Sequence, residues 1–368
     1  MTMVENSPQL RFVQIGDLHL TGHGLQNHQD FLRIVEEIDR NCAGLIDFVY
    51  LPGDNADDGT PDQFALVREG LSGLRLPWHA IPGDHDFKPR SLQNYYRDLS
   101  VRTLPYAQEV NGYVCLFLDV VSQGTGGPDF KLGEHQFDWL RSRLDVARRE
   151  GKSCVVFMHA YPADLGEEAG ELAALLDESS VMLVAMGHTH YNEVSHDGRT
   201  IYAATRSTGQ IEEGPAGYSF FVADGHAVSW RFKPLGSPWP FVMITSPADR
   251  RLAISEDHRG TREVHATSWG EAPVTHADFR IDEGPWLRMS PVADGRFVAP
   301  LEVDRRSFRI EVRATDRSGA HGTDLIECAS LDGVGRVSSG SDANSIGAWP
   351  ERHLFGTQLG PNRNGRKW

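Results

Sequence analysis

Five short blocks between residues 17 and 190 carry the side chains best suited to holding cations: Asp17-Leu-His19, Gly53-Asp-Asn55, Gly83-Asp-His-Asp86, His159 and Gly187-His-Thr-His190. Carboxylates and imidazoles are the ligands that suit manganese, iron and zinc, and a carboxylate shared by two ions can hold them about 3.5–4 Å apart. Any one of these residues alone reads as a solvated or turn-capping side chain. As a set, each follows a strand-like run, and the glycines allow the sharp turns that bring the next side chain inward. The chemistry this pattern predicts is that of a dinuclear metal site.

The elements that must position these blocks are legible as alternating strand and helix patterns, the signature of layered α/β construction. Arg11–Ile15, Phe48–Leu51, Trp78–Ile81, Tyr113–Leu118, Ser153–Met158 and Val181–Ala185 read as strands. Phe31, Leu32, Ile34, Val35 and Ile38 recur at helical spacing, and helices are also expected around Pro61–Leu74 and over Gly133–Glu150. Loops at the carboxyl ends of such strands converge on one crevice, which lets residues distant in sequence meet. After Gly198 the pattern turns to strands without helices, at Thr200–Thr205, Tyr218–Ala223 and Ala227–Phe232.

In order and residue type the five blocks resemble the calcineurin-like metallophosphoesterase family, and within it the bacterial cyclic-nucleotide and glycerophosphodiester phosphodiesterases. The resemblance covers residues 10 to about 230. It implies an α/β fold of central β-sheets flanked by helices, two ions drawn from Mn, Fe and Zn, and a small phosphate ester, most simply a diester, as substrate. It also implies that Asp17, His19 and His190 bind the first metal, Asp54 bridges, and His159 and His188 bind the second. A hydroxide between the ions would attack phosphorus, with His85 near the leaving group and oriented by Asp86. One position departs from the family, which has asparagine where this chain has Asp84. Aspartate offers an oxygen of similar reach but with a charge, so Asp84 is expected to ligate the second metal. The alternative is that Asp84 only caps its turn, leaving a catalytically weakened metal-binding protein whose C-terminal module mediates interactions.

Other histidines lack ligand-like spacing, among them His79, His135 and His196, whereas His23 and His28 lie close enough to the first block to reach the cleft. Asn55 reads as a brace for its loop. Pro234-Leu-Gly-Ser-Pro-Trp-Pro240 has linker composition. The alternation of Phe308, Ile310, Val312 and Ala314 beyond it predicts a β-sandwich, with Trp269 and Trp286 expected in its core. The resulting division is a phosphoesterase domain over 1–237, an all-β sandwich over 238–328, and a tail or arm over 329–368.

Composition sets the outer limits. With 368 residues, 40% hydrophobic and 24% charged, the chain is globular and long enough for two domains. A net charge of -15 argues against nucleic-acid binding through a basic surface, so an anionic substrate needs the local charge of bound cations. The start of the chain has no basic segment followed by an apolar one, and no run is long enough to span a bilayer. Cys42, Cys115, Cys154 and Cys328 are scattered among apolar residues and read as reduced core residues. A cytoplasmic protein without membrane contact is expected, with homo-oligomer formation left open.

Overall fold

The computed structural model describes residues 8–125, 129–254, 263–293, 295–303, 307–329 and 346–356. Its first strand, β1 (Gln9–Gln14), is buried along its whole length. The two-residue period of the strand divides its apolar side chains between two layers. Leu10 and Phe12 face one hydrophobic cluster, and Val13 faces another.

In chain order there follow α1 (Gln26–Cys42), β2 (Phe48–Leu51), α2 (Pro61–Leu71), β3 (Trp78–Ala80), α3 (Gln93–Leu99), β4 (Tyr106–Val110), β5 (Tyr113–Phe117), α4 (Gly133–Arg149), β6 (Cys154–Phe157), α5 (Ala169–Asp177), β7 (Val181–Met186), β8 (Glu193–His196), β9 (Ile201–Ala204), β10 (Gly217–Asp224) and β11 (Ala227–Pro234). One sheet has the order β11-β10-β1-β2-β3 and the other β4-β5-β6-β7-β9-β8. Pairing is parallel along β1-β2-β3 and along β5-β6-β7-β9, and antiparallel at the flanks. Between the sheets lies an aromatic layer in which Phe12 stacks on Phe48 and Phe221, Phe117 stacks on Phe157, and Phe157 meets Phe12 edge-on. The outer cluster joins Val13, Val49 and Leu51 to Phe31, Ile34 and Ile38 of α1 and Phe64 and Val67 of α2. The expected α/β layers are therefore present, with parallel strand ends pointing the same way in each sheet.

Strand and helix bounds differ from the sequence expectation by one or two residues for most elements. The short elements α3, β4, α5 and β8 are additional. Each is under ten residues, too short for periodicity to stand out from a loop.

The C-terminal part continues with β12 (Phe241–Ser246), β13 (Glu263–Trp269), β14 (Val274–Ile281), β15 (Leu287–Arg288), β16 (Ser290–Pro291), β17 (Arg296–Pro300), β18 (Ser307–Asp316) and β19 (His321–Ala329). They form two antiparallel sheets, β12-β13-β17-β16 and β15-β14-β18-β19. Val242, Ile244, Val264, Phe279, Phe297, Ile310, Val312 and Ile326 meet in one cluster.

Neither tryptophan lies where the sequence suggested. Trp269 is fully buried among Phe220, Phe241 and Met243, at the seam with the α/β part, and its Nε1 donates to the Leu45 carbonyl at 3.1 Å. Trp286 is half-exposed, with the guanidinium groups of Arg280 and Arg313 against its ring. The segment 235–240 is a short connection between β11 and β12, held by the bond from Trp239 Nε1 to Glu37 at 3.1 Å. Residues 346–356 pack on the body, burying Trp349 and Leu354; Trp368 lies outside the described residues. No helix among the described residues is long and apolar enough to cross a membrane.

Candidate metal centre

The turns after β1, β2 and β3 carry Asp17 and His19, Asp54, and Asp84 and His85; those after β6 and β7 carry His159, and His188 and His190. The site thus straddles the carboxyl ends of parallel strands from both sheets. Asp17, His19, Asp54 and His190 each offer a ligand atom within 4.8 Å of the other three, and so do Asp54, Asp84, His159 and His188. Asp54 belongs to both tetrads. His19 Nε2 lies 3.0 Å from His190 Nε2 and 3.5 Å from Asp54 Oδ2. On the other side His159 Nε2 is 3.6 Å from the same Asp54 oxygen and 3.2 Å from Asp84 Oδ1, which also lies 3.4 Å from His188 Nδ1. All seven side chains singled out as metal ligands therefore come together.

The backbone shows how sharply these side chains are turned inward. His19, Asp54, His188 and His190 have φ of 42°, 49°, 67° and 64°. Such left-handed conformations cost a non-glycine residue about 1–3 kcal/mol and gather at functional sites. The block glycines serve two roles. Gly53 serves both, with φ 113° at the turn and room for no Cβ, which would lie 2.3 Å from His159 Nδ1. Gly83 and Gly187 serve proximity, because a Cβ on either would come within 2.2 Å of Asp54 Oδ1 or Asp17 Oδ1 respectively.

Charge and hydrogen bonding fit a pair of cations. Burial pushes the Asp17 carboxyl up, and its Oδ1 is buried with no hydrogen-bond partner, while Oδ2 accepts from the His188 amide at 2.7 Å. Burial opposes ionisation of Asp84 as well, but its bonds to His159 and His188 hold it well below the usual carboxylate range. Burial likewise favours neutral His159, yet the Asp54 charge and the hydrogen bonds to Asp54 and Asp84 push its pKa far up. The carboxylates thus create a field that holds positive charge at the centre. Burial lowers His190 to about 3, which keeps a lone pair available at neutral pH. His159 Nδ1 faces the Pro52 carbonyl at 2.8 Å and His19 Nδ1 faces Asp57 Oδ1 at 3.1 Å. These contacts leave Nε2 of each ring toward the cluster, the arrangement that orients metal-binding imidazoles.

His85 sits beside the first tetrad, its ring edge-on to His19 with 4.4 Å between centroids. Its orienting partner differs from the sequence expectation. Asp86 is fully buried and accepts from the amides of Asn55, Ala56 and Gly83 at 3.2, 2.8 and 3.0 Å and from Asn55 Nδ2 at 2.8 Å. It braces the loops, together with Asn55, and burial raises it to about 6. Adjacent residues in this tight turn point apart, so His85 is held instead by Asp57, through Oδ1 at 3.0 Å and the carbonyl at 2.9 Å. The hydrogen bond from His19 is the largest cause that lowers Asp57 to about 2. Gln210 Nε2 adds a donor to Asp57 at 3.3 Å, and Phe130 lies edge-on to His188 at 4.7 Å.

Asp57, Gln210 and Phe130 were not singled out from the sequence. Only Asp57 gave a signal, three residues after Asp54, and an acid before Asp58-Gly59 reads as turn chemistry. His28 is buried, with its Nδ1 accepting from the Gly24 amide at 3.1 Å, and the His23 ring lies tilted against it with 5.1 Å between centroids. Neither belongs to the clusters that could hold a metal.

Paired mixed sheets carry two Asp/His tetrads that share one carboxylate, an arrangement able to hold two metal ions. Residues 10–192 match the family described as "Calcineurin-like phosphoesterase", a match that implies divalent metal ions at the site. The chain is 26% identical over 238 residues to the 3',5'-cyclic adenosine monophosphate phosphodiesterase CpdA of Escherichia coli K12, covering 61% of this chain and 84% of that protein. It is 31% identical over 160 residues to the glycerophosphodiester phosphodiesterase GpdQ of Enterobacter lignolyticus, covering 39% of this chain and 56% of that protein. A dimetal phosphatase from Danio rerio superposes with a TM-score of 0.48 at 14% identity, covering 72% of this chain and 97% of that one.

Proposed function

We propose that this enzyme hydrolyses a small phosphodiester at the shared-carboxylate centre. In this assignment Asp17, His19 and His190 would hold one transition-metal ion, Asp84, His159 and His188 would hold the other, and Asp54 would serve both, with the ions drawn from Mn, Fe and Zn. The observation that carries it is the meeting of two tetrads at Asp54, each with its ligand atoms within 4.8 Å. Bound ions supply Lewis acidity to phosphoryl oxygens and activate water for attack.

The chain's own groups arrange the rest. His85 Nδ1 is fixed on Asp57, so Nε2 is the nitrogen left to give a proton to the leaving-group oxygen. Asp84 adds a negative charge where asparagine would be neutral, and a phosphomonoester carries nearly two charges against one for a diester. Repulsion therefore penalises the monoester more. The named relatives, a cyclic-nucleotide and a glycerophosphodiester phosphodiesterase, support a small diester. We further assign residues 1–237 to catalysis, 238–328 to a β-sandwich module and 329–368 to an arm, with the cytoplasm as the setting. The four buried, unbridged cysteines accord with that setting.

Turnover of phosphomonoesters, cyclic nucleotides, glycerophosphodiesters and oligonucleotides with added Mn tests the assignment. The highest kcat/KM is expected for a small diester. A monoester as best substrate would overturn the diester assignment, and two bound metals without turnover of any ester would overturn hydrolysis.

A further inference from the structure

Arg206 is fully buried and belongs to neither tetrad. Its Nη1 donates to the carbonyls of Glu213 at 3.0 Å and Pro215 at 3.4 Å, and its Nη2 to the carbonyl of His353 in the C-terminal arm at 2.6 Å. The Glu213 carboxylate lies 3.3 Å from Nη2, and the rings of Phe232 and Phe355 pack on the guanidinium at 4.4 and 5.1 Å. Asn192 ties the same pieces together. It accepts from the Arg206 amide, donates its side-chain amide to the His353 carbonyl, each at 2.9 Å, and donates its backbone N–H to Glu213 at 3.1 Å. Gly214 has φ 59°, which favours glycine, and a Cβ there would lie 2.0 Å from Arg206 Nη1.

The residues just after Arg206 clasp the backbone of the first tetrad. The Ser207 amide donates to the His190 carbonyl at 3.3 Å, and the Asp17 carbonyl accepts from Ser207 Oγ at 2.8 Å and from the amides of Thr208 and Gly209 at 2.9 and 3.1 Å. Gly16 passes so close that a Cβ on it would lie 2.1 Å from the Arg206 carbonyl oxygen. The chain therefore runs from the arm, through one buried guanidinium, to the carbonyls of two residues assigned as ligands of the first ion.

We infer that Arg206 is a positioning residue for the first tetrad and that arm residues His353 and Phe355 complete its binding pocket, making the arm part of the catalytic apparatus. This rests on the metal-centre assignment above. Without the arm, the guanidinium would lose an acceptor and an aromatic face, and the 206–215 segment would lose its fixed end. Outer groups that orient metal ligands commonly change metal affinity by about 10–100-fold.

The test uses full-length chains: wild type, Arg206→Met, which keeps length but removes charge and donors, and Phe355→Ala, which touches only the arm side. Manganese alone is titrated calorimetrically into metal-depleted protein. Thermal melts are followed by circular dichroism, and kcat and KM for an aryl phosphodiester are measured across Mn concentrations. Arg206→Met is expected to weaken one of two Mn sites by about tenfold, with kcat largely restored at saturating Mn. Phe355→Ala should shift the same site in the same direction by less. Folded variants that bind two Mn ions with wild-type constants would overturn the inference, leaving the arm a stabiliser only. A kcat loss that saturating Mn does not restore would overturn it too. If Arg206→Met fails to fold, Phe355→Ala decides. Wild-type protein that binds neither manganese nor, in parallel titrations, zinc or iron(II) would overturn the metal-centre assignment along with the arm's role, an outcome distinct from two normal sites in every variant.

Discussion

Asp57 receives both His19 and His85 on one carboxylate oxygen, at 3.1 and 3.0 Å, so the two imidazoles are held by a single group. His85→Ala is expected to keep both metals while lowering kcat by about 10²–10⁴-fold, the range for a positioned acid–base group. Asp57→Asn should lower kcat by a smaller factor and also weaken one Mn site, because the Asp57 side chain, unlike that of His85, hydrogen-bonds a proposed ligand, His19. Parallel kinetics and metal analysis check the contrast, and metal loss in His85→Ala would make His85 a ligand. Asp84→Asn is a second prediction. It should narrow the preference for a matched aryl diester over the monoester and loosen the second ion, read from kcat/KM ratios and metal titration. An unchanged ratio with unchanged affinity would leave Asp84 a structural residue. At this scale the Asp and His residues that meet in the two tetrads were legible, since each block is local. The partner of His85 was not, because Asp57 reaches it across 28 residues while its sequence neighbour Asp86 turns into the loop core.

The strand-end turns matter as much as the side chains they carry. Gly83 has an ordinary φ, yet a Cβ there would lie 2.2 Å from Asp54 Oδ1 and 2.4 Å from the Asp54 amide nitrogen. The obstacle includes backbone, which cannot step aside as a flexible side-chain end can. Gly83→Ala is therefore expected to retain the fold but displace Asp54, with loss of one or both metals and of turnover; near-normal metal content would show that the β3 turn is more pliant than its packing suggests. Long elements were legible because they fill several periods of a pattern, as in α1 with Phe31, Ile34, Val35 and Ile38 on its buried face. The edge strand β4 has mixed burial and α3 only seven residues, and neither offers such a repeat.

Across the whole molecule, the connection at 235–240 looked in sequence like a loose boundary, whereas the parts it joins share a closed seam. Gln9 in β1 donates to Asp224 at 2.7 Å and to Thr245 at 3.1 Å, and accepts from Thr267 at 3.2 Å. Pairings this far apart in sequence leave no periodic trace. His265 donates to Asp224 at 2.9 Å, with Glu263 at 3.3 Å on its other nitrogen. Burial alone would lower His265, but those carboxylates raise it, and the same contact holds Asp224 low against its own burial. A raised histidine stabilises most below its unfolded pKa of about 6.5 and loses the effect as pH climbs through the folded value. The Tm advantage of wild type over His265→Gln should thus be largest near pH 6 and shrink above it; a constant gap would discount the ion pair. The apolar half of the seam gives the last prediction. Trp269→Ala removes a fully buried indole packed on Phe220 and Phe241, and strips the Leu45 carbonyl of its donor. A cavity of this kind costs about 3–5 kcal/mol, and it lies where the two parts stabilise each other rather than inside either. Calorimetry of wild type should show one transition, and Trp269→Ala should split it, with the β-sheet pair melting first and the α/β part later. Two transitions already present in wild type, unmoved by the substitution, would mean that the seam does not couple the parts.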